Sequence, residues 1–205
     1  MELLESFNIK KVAVDDYINK KFNGPCFCQL SVTDYIRKKD KKPFKQEEYF
    51  SNPEAFQSNF DMFSDKTDIL INAAYWDPRS PRLFEEDDIN ENFKPKIIGD
   101  ISCDINGAIP CTKKASTIEK PFFDYCIKTK KIEEPFNKED NITIMSIDNL
   151  PSELPRDSSR YFGNILVEEI LPLLSLEGNE IIENATITKN GKLTEKFKYL
   201  SDYII

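Results

Sequence analysis

The chain has 205 residues, of which 40% are hydrophobic, and it carries a net charge of −8 with a sequence pI near 4.8. This length allows one well-filled hydrophobic core. The acidic balance disfavours nucleic acid and anionic membrane surfaces as partners, and no apolar stretch reaches the roughly 18 residues of a membrane span. Because the first residues also lack the basic and apolar regions of a secretory signal, we expect a cytoplasmic protein.

The side chains available for chemistry are restricted. The chain has no histidine, so proton transfer near neutral pH requires another residue type or another source. Its five cysteines are an odd number, which favours reduced thiols over a disulfide framework. Cys26 and Cys28 form a C-x-C spacing without histidine co-ligands, so we predict no metal site.

Apolar patterns predict strands that alternate with helical segments. In chain order we predict a strand at Ile9–Val14, a helical turn at Asp15–Lys20, a strand at Cys26–Val32, an aromatic helical stripe from Ala55 to Phe63, a strand at Asp68–Asn72, a first helical turn at Glu85–Asp88, strands at Ile97–Ser102 and Ile142–Ile147, a helix at Ser152–Leu174 that begins near Pro155 and is disturbed by Pro172, a turn at Asn190–Gly191 and a final amphipathic helix. The segment Lys113–Glu139 is predicted to be irregular. This alternation predicts an α/β fold with a parallel sheet covered by helices on both faces.

The first chemical motif is NAAYWDPRSPRLF, in which Tyr75 and Trp76 follow the strand that ends at Asn72. Two prolines stiffen the loop. A packed surface loop is one interpretation. The other is a ligand contact, because an aromatic ring here can cover an apolar part of a ligand and exclude water.

The second motif is GDISCDINGAIP, which places Asp100, Ser102 and Asp104 at alternate positions on one face of an extended segment. Neighbouring carboxylates repel each other, so at least one should be hydrogen-bonded or lie at a crevice. A structural role for Asp100 in holding the turn is an equal alternative.

The third motif is SIDNLPSELPRD, where the acid Asp148 ends a strand and a proline-rigid helix entry follows. This pattern sets a carboxylate and backbone donors beside a ligand, although a helix cap by Ser152 explains part of it equally well. Ligands of parallel sheets bind outside the carboxyl ends of the strands. We therefore predict that Tyr75, Asp104 and Asp148 lie at one crevice.

Together the three motifs resemble the nicotinamide-binding domain of the lysine-forming saccharopine dehydrogenases, also called lysine-ketoglutarate reductases, in the alanine dehydrogenase and transhydrogenase superfamily. The resemblance extends over nearly the whole chain. It implies an incomplete Rossmann-like parallel sheet, a carboxyl-terminal helical segment, NAD or NADP as coenzyme, and hydride transfer from the secondary-amine carbon of saccharopine to the nicotinamide. It also implies coenzyme contacts by Tyr75, Ile101, Ile147, Asp148, Asn149 and Leu150.

The chain departs from this family at the phosphate-binding element. Its six glycines form no G-x-G-x-x-G motif, which dinucleotide domains use to hold the pyrophosphate. The position expected to hold the ribose is occupied by Ala13, so NAD and NADP stay equally open. We therefore expect residues 1–150 to be a truncated dinucleotide-binding domain without its first strand and glycine-rich turn. Residues 151–205 are expected to return to an absent amino-terminal catalytic domain.

No catalytic acid or base can be assigned in this sequence, because the family's proton-transfer lysine and histidine belong to that amino-terminal domain. We expect the chain alone to be inactive and to reach its amino-acid substrate through the missing domain or a separate subunit. One alternative is an alanine dehydrogenase-type enzyme, since the same coenzyme domain serves both substrates. Another is a non-catalytic coenzyme-binding or interaction subunit that associates through an exposed sheet edge.

Overall fold

A computed structural model describes residues 2–176 and 178–203, and the chain divides into two compact units, one up to Leu150 and the other from Pro151.

Short helices and strands make up the first part of the first unit. They are α1 (Glu2–Ser6), β1 (Lys10–Lys11), α2 (Val14–Asn19), β2 (Cys26–Phe27), α3 (Val32–Tyr35), β3 (Ile36–Lys38), α4 (Gln46–Ser51), a 3-10 helix at Pro53–Ala55, β4 (Phe56–Ser58) and α5 (Asp61–Ser64). β1 pairs with β2 in parallel, and β3 pairs with β4 in antiparallel orientation. The helical turn predicted after Val14 is confirmed. The first two predicted strands are shorter than expected, because only Lys10–Lys11 and Cys26–Phe27 pair with each other.

A mixed sheet of five strands follows. Its strands are β5 (Ile69–Asn72), β6 (Ile97–Asp100), β7 (Phe122–Cys126), β8 (Lys131–Glu133) and β9 (Ile142–Met145), in the spatial order β5-β6-β9-β7-β8. β5, β6 and β9 run parallel, while β7 and β8 are antiparallel to their neighbours. A short 3-10 helix at Glu86–Asp88 lies between β5 and β6 in sequence. The predicted α/β class is therefore confirmed, and parallel strands dominate the sheet, although β7 and β8 depart from the predicted parallel direction.

The hydrophobic core lies against one face of this sheet. Leu70, Ile98 and Ile144 are buried on the three parallel strands, and Tyr17 and Tyr35 from the short helices pack against the same cluster. β5 is an edge strand among the described residues. Its Ile69 and Ile71 are 59% and 56% exposed, so the opposite face of β5 is apolar and open to solvent.

The aromatic segment after Pro53 contributes to the core, but β4 interrupts the predicted helix between the 3-10 helix at Pro53–Ala55 and α5. Phe56, Phe60 and Phe63 are each 1% exposed, but Phe56 belongs to β4 and pairs with Lys38 of β3. The backbone of β4 pairs with β3, and this strand pairing outweighs the helical spacing of the aromatic side chains.

The segment predicted as irregular contains the β7–β8 hairpin, so that prediction was wrong. Phe123 and Tyr125 on β7 are 1% exposed and belong to the core. Asp124 lies between them and interrupts the apolar run, yet it is fully buried. It accepts hydrogen bonds from the backbone nitrogens of Phe136 and Asn137 and from the side chains of Asn141 and Thr143, which is why an acid is tolerated within this strand.

The second unit is mainly helical. It contains most of α6 (Leu150–Glu153), then α7 (Pro155–Ile165), a π-helical turn at Leu166–Ile170, α8 (Leu171–Leu174), α9 (Glu180–Ala185), a hairpin of β10 (Thr188–Lys189) and β11 (Lys192–Leu193), and a 3-10 helix at Glu195–Tyr203. The predicted helix start at Pro155 and the disturbance near Pro172 are confirmed, since proline has no N–H for the regular helical hydrogen bond. The predicted turn is also confirmed, because Asn190 and Gly191 both have positive φ between β10 and β11. The final helix is of the 3-10 type, and its predicted last residues lie outside the described ranges.

Candidate functional site

The three sequence motifs leave the sheet at one edge. In the parallel registers Asn72 of β5 pairs with Asp100 of β6, and Gly99 of β6 pairs with Met145 of β9. We call the edge formed by Asn72, Asp100 and Met145 the carboxyl edge. Because parallel strands end side by side, the loops that carry Tyr75, Ile101 and Asp148 all begin there.

A buried carboxylate organises this edge. Asp100 is fully buried, and its Oδ1 accepts hydrogen bonds from Asn72 Nδ2 at 2.9 Å and Ser102 Oγ at 2.7 Å. Its Oδ2 accepts one from Thr112 Oγ1 at 2.6 Å. The prediction that at least one acid of this motif is hydrogen-bonded is confirmed. Asp100 is the structural acid, since it joins β5, β6 and the far end of the loop that follows β6.

Asn72 uses both its side chain and its main chain at the carboxyl edge. Nδ2 also donates to Ser102 Oγ at 3.0 Å, and Oδ1 accepts from the nitrogen of Ala74 at 3.4 Å. Its main-chain oxygen accepts from the nitrogen of Ile101 at 2.7 Å. Asn72 was not predicted from the sequence as a site residue. The available signal was a polar residue that ends the apolar run ILIN.

The loop after β6 is tightly turned. Cys103 and Asn106 have φ of 54°, a left-handed conformation that is uncommon for residues other than glycine. The nitrogen of Gly107 donates to the oxygen of Asp104 at 2.8 Å, and a Cβ at Gly107 would lie 2.4 Å from the Cβ of Asp104. This turn therefore requires glycine, and it leaves the half-buried Asp104 beside the turn.

Two cations outside this turn brace it through Asn106. Arg82 Nη2 donates to the main-chain oxygen of Asn106 at 3.1 Å, and Lys113 Nζ donates to its side-chain oxygen at 2.9 Å. Lys113 also forms an ion pair with Glu86. The loop between β6 and Lys113 is thus anchored at its start, its middle and its end.

Cys103 connects this loop to the end of β9. Its Sγ donates to the main-chain oxygen of Ser146 at 3.1 Å. Burial raises the pKa of the Cys103 thiol above its ordinary value, and the nearby carboxylates of Asp148, Asp100 and Asp104 raise it further. The thiol is therefore a poor nucleophile at neutral pH, and these acids lie close enough to act on it.

The residues after β9 differ in exposure. Ile147 is 5% exposed and forms an isolated parallel bridge with Ser116, whereas Asp148 and Asn149 are exposed and Leu150 is half-buried. Asn149 has a φ of 55°, which turns the chain away from the strand direction. The proposed cap by Ser152 is wrong, because Ser152 lies inside α6 and α7 begins after Leu154.

Tyr75 projects from a stiffened loop. Its side chain is 88% exposed. Two residues later, Asp77 accepts hydrogen bonds from the backbone nitrogen of Arg79 at 2.8 Å and from its Nε and Nη2 at 3.0 and 2.7 Å. The Arg79 side chain and backbone lower the pKa of Asp77 to about 2. The indole Nε1 of Trp76 is buried and has no hydrogen-bond acceptor among the described residues.

The side chains at the carboxyl edge have the chemistry that a nicotinamide coenzyme requires of its binding residues. The carboxyl edge offers an exposed ring at Tyr75, a partly exposed aliphatic side chain at Ile101 and an exposed carboxylate at Asp148, which suit stacking, apolar packing and hydroxyl or amide binding respectively. The fit does not extend to the pyrophosphate, because the sequence contains no glycine-rich turn.

Among the described residues no three His, Cys, Asp or Glu side chains come together in a way that would hold a metal ion. No helix within those residues is long and apolar enough to cross a membrane.

No protein-family model matches the chain. Among curated proteins, it is 30% identical over 227 aligned residues to "Alpha-aminoadipic semialdehyde synthase, mitochondrial" of Mus musculus, a match that covers 97% of this chain and 24% of that protein. It is 29% identical over 183 residues to the alpha-aminoadipic semialdehyde synthase of Arabidopsis thaliana, covering 84% of this chain and 17% of the relative. It is 28% identical over 116 residues to "Saccharopine dehydrogenase [NAD(+), L-lysine-forming]" of Schizosaccharomyces pombe, covering 55% and 29%.

These relatives show which protein family the chain belongs to. The family is that of the lysine-forming saccharopine dehydrogenases and the aminoadipic semialdehyde synthases, so the relationship predicted from the three motifs is confirmed. The chain spans about a quarter of the length of the mouse relative.

Proposed function

We propose that this chain forms the coenzyme-binding part of an NAD-dependent oxidoreductase that acts on the CH–NH bond of saccharopine and releases lysine. The observation that carries the proposal is the carboxyl edge, where three adjacent parallel strands deliver the motifs that resemble the family. The printed name of the Schizosaccharomyces pombe relative includes NAD(+), which favours NAD over NADP.

We assign each site residue a role from its position at the carboxyl edge. Tyr75, whose ring is exposed, covers the dinucleotide. Ile101 packs against the nicotinamide ring, and Asp148 orients that end of the coenzyme. Ile147 lines the site through its main chain, because its side chain is buried, and the exposed Asn149 and half-buried Leu150 complete the lining. The coenzyme itself supplies hydride acceptance, and the protein positions it.

Proton transfer is assigned elsewhere in this proposal. The sequence contains no histidine, and Cys103 near the carboxyl edge holds its proton because its pKa is raised. We therefore assign the acid–base groups and the amino-acid site to residues outside these 205, in the same polypeptide or a separate subunit. The chain by itself binds the coenzyme and does not turn over saccharopine.

The single tryptophan of the chain provides a direct binding test. Trp76 neighbours Tyr75 in sequence, and its emission overlaps the absorption of NADH. Titration with NADH should quench the tryptophan emission and raise the emission of bound NADH, and NAD should reverse both changes by competition. Replacing Tyr75 or Asp148 with alanine should weaken NADH binding about tenfold, which corresponds to about 1.4 kcal/mol.

Two exposed residues serve as controls for this titration. Tyr203→Ala in the second unit and Asp140→Ala on the surface of the first unit should leave NADH binding unchanged. A folded wild-type chain that shows no energy transfer at millimolar NADH would overturn the proposed coenzyme function. Steady NADH production from saccharopine and NAD by the chain alone would instead contradict the assignment of the acid–base groups to other residues.

A further inference from the structure

We propose that Asp100 and Asn72 act as a pair of positioning residues for the candidate coenzyme site, fixing the main chain at Ile101 and the start of the Tyr75 loop without touching the coenzyme. For its ligand this inference rests on the proposed function. For its geometry it rests on the hydrogen bonds at the carboxyl edge.

Asn72 holds the starts of two loops of the candidate site. Asn72 holds the Ile101 nitrogen through its main-chain oxygen and the Ala74 nitrogen through its side-chain oxygen. Ile101 begins the loop after β6, and Ala74 directly precedes Tyr75. One residue therefore sets the exit direction of both loops that would contact the coenzyme.

Asp100 in turn holds the side chain of Asn72. Its Nδ2 donates to Asp100 Oδ1, so the amide cannot rotate without breaking that hydrogen bond. Asp100 is in turn held by Ser102 and Thr112, the hydroxyl residues near the start and at the end of the loop after β6. The carboxylate thus fixes the orientation of the amide, and the amide fixes the two loop starts.

The buried acid at this position fixes geometry more than it adds stability. The side chain of Asp100 is 0% accessible, so burial removes it from water. Among the described residues it forms no ion pair with a lysine or arginine that would compensate for this loss. A buried charge of this kind is a weak source of stability compared with apolar packing. It does fix geometry, because charge-assisted hydrogen bonds are short and directional.

A second buried acid of the same sheet provides a matched control. Asp124 on β7 is also 0% exposed and accepts four hydrogen bonds. It pairs with Thr143 near the beginning of β9, so it lies toward the opposite edge of the sheet. Replacing Asp124 disturbs a comparable network in the same unit without acting on the carboxyl edge.

The experiment is a reciprocal exchange of the two side chains. Asn72→Asp puts two carboxylates side by side, which repel each other. Asp100→Ala removes the acceptor of the hydrogen bonds from Asn72, Ser102 and Thr112. Each should weaken NADH binding, measured by energy transfer from Trp76, by about tenfold or more because small displacements of positioning groups are costly. The double variant Asn72→Asp with Asp100→Asn restores one acid and one amide and should recover most of the affinity. Asp124→Asn should lower the thermal midpoint and leave the NADH affinity of the folded protein unchanged.

Amide hydrogen exchange keeps the inference testable apart from coenzyme binding. Asn72→Asp should accelerate exchange in both residues 73–80 and residues 101–112, whereas Asp124→Asn should leave both loops unchanged. If the wild-type chain binds no NADH, the proposed function falls, and the exchange pattern still decides whether the pair positions the loops. Unchanged exchange in Asn72→Asp, or NADH affinity lost equally in Asp124→Asn and Asn72→Asp, would overturn the inference.

Discussion

The thiol of Cys103 lies 3.1 Å from the main-chain oxygen of Ser146 and donates a hydrogen bond to it. This contact joins the loop after β6 to the end of β9, while the hydrogen bond from Asn72 to Asp100 joins the ends of β5 and β6. The loop after β6 is therefore the centre of the candidate site, because it is tied to the strand on each side.

The reactivity of Cys103 tests its closeness to Asp148. Its pKa is raised by burial first and by the carboxylate of Asp148 next, so its thiolate fraction at mildly alkaline pH is lower than that of an ordinary cysteine. Iodoacetamide should modify it slowly, and Asp148→Asn should increase the rate by removing a negative charge. Peptide mass spectrometry measures this rate. Asp140→Asn, which removes a surface charge paired with Lys128, should have no effect, and equal rates in all three proteins would contradict the predicted closeness.

Gly107 tests the shape of the loop after β6. Gly107→Ala would set a Cβ 2.4 Å from the Cβ of Asp104, and overpacking of this kind costs about 1 to 3 kcal/mol of unfolding free energy. Urea denaturation should show this loss, and NADH binding should weaken with it. Gly24→Ala is the control, because nothing lies within 4 Å of its added Cβ. Its effect should be neutral or slightly stabilising, and equal losses in both variants would contradict the prediction.

The buried thiol of Cys111 predicts a loss of stability at alkaline pH. Burial raises its pKa from 9.0 to about 12 in the folded protein. The unfolded chain therefore releases a proton that the folded chain keeps, so this stabilisation is complete below pH 9 and declines as pH rises toward 12. The decline is at most about 1.4 kcal/mol per pH unit.

The Cys111→Ala variant isolates this effect. Unfolding free energies measured in a reducing buffer should fall less steeply above pH 9 than those of the wild type. The slope does not vanish, since burial also raises the pKa of Tyr125. The variant loses stability at every pH through its smaller side chain, so the informative quantity is the slope. Identical slopes would show that Cys111 does not carry the alkaline transition.

The Asp77–Arg79 contact predicts an unusually acidic carboxyl beside Tyr75. The Arg79 side chain and backbone nitrogen hold the pKa of Asp77 at about 2. The favourable contact is complete above the ordinary pKa of 3.8 and is lost as pH falls through about 2. Arg79→Gln should raise the pKa measured by NMR, although it stays below 3.8 because the backbone donor remains. Arg156→Gln in the second unit should not change it, and an ordinary pKa in the wild type would exclude the contact.

The parallel strands could be predicted because their signal is local. Ile69–Asn72 and Ile97–Asp100 are apolar runs that end in polar residues, and the mainly apolar Ile142–Met145 is followed by Ser146. The predicted strands exceed these three by one or two residues. β7 escaped prediction because Asp124 interrupts its apolar run. The acid is tolerated only because Asn141, Thr143 and two backbone nitrogens donate hydrogen bonds to it. Thr143 lies opposite Asp124 only in the observed register of β7 with β9.

The candidate site could likewise be predicted only in part from the sequence. Alternation along one extended segment indicated that Asp100 needs a partner, but it could not identify Asn72, which lies 28 positions earlier in the chain. The contact between Cys103 and Ser146 likewise depends on the alignment of β6 with β9. Residue types and strand ends could be predicted from the sequence, whereas the hydrogen bonds between loops required the sheet register.

The mixed direction of the sheet has a consequence for the order of folding. β7 and β8 are joined by a tight local turn, in which Cys126 pairs with Lys131. β5 must find β6, and β6 must find β9, across much longer stretches of chain. Closing a longer stretch costs more chain entropy and slows pairing. We therefore expect the hairpin to form early and the edge with Asn72, Asp100 and Met145 to assemble late, so the candidate site matures in the final kinetic phase.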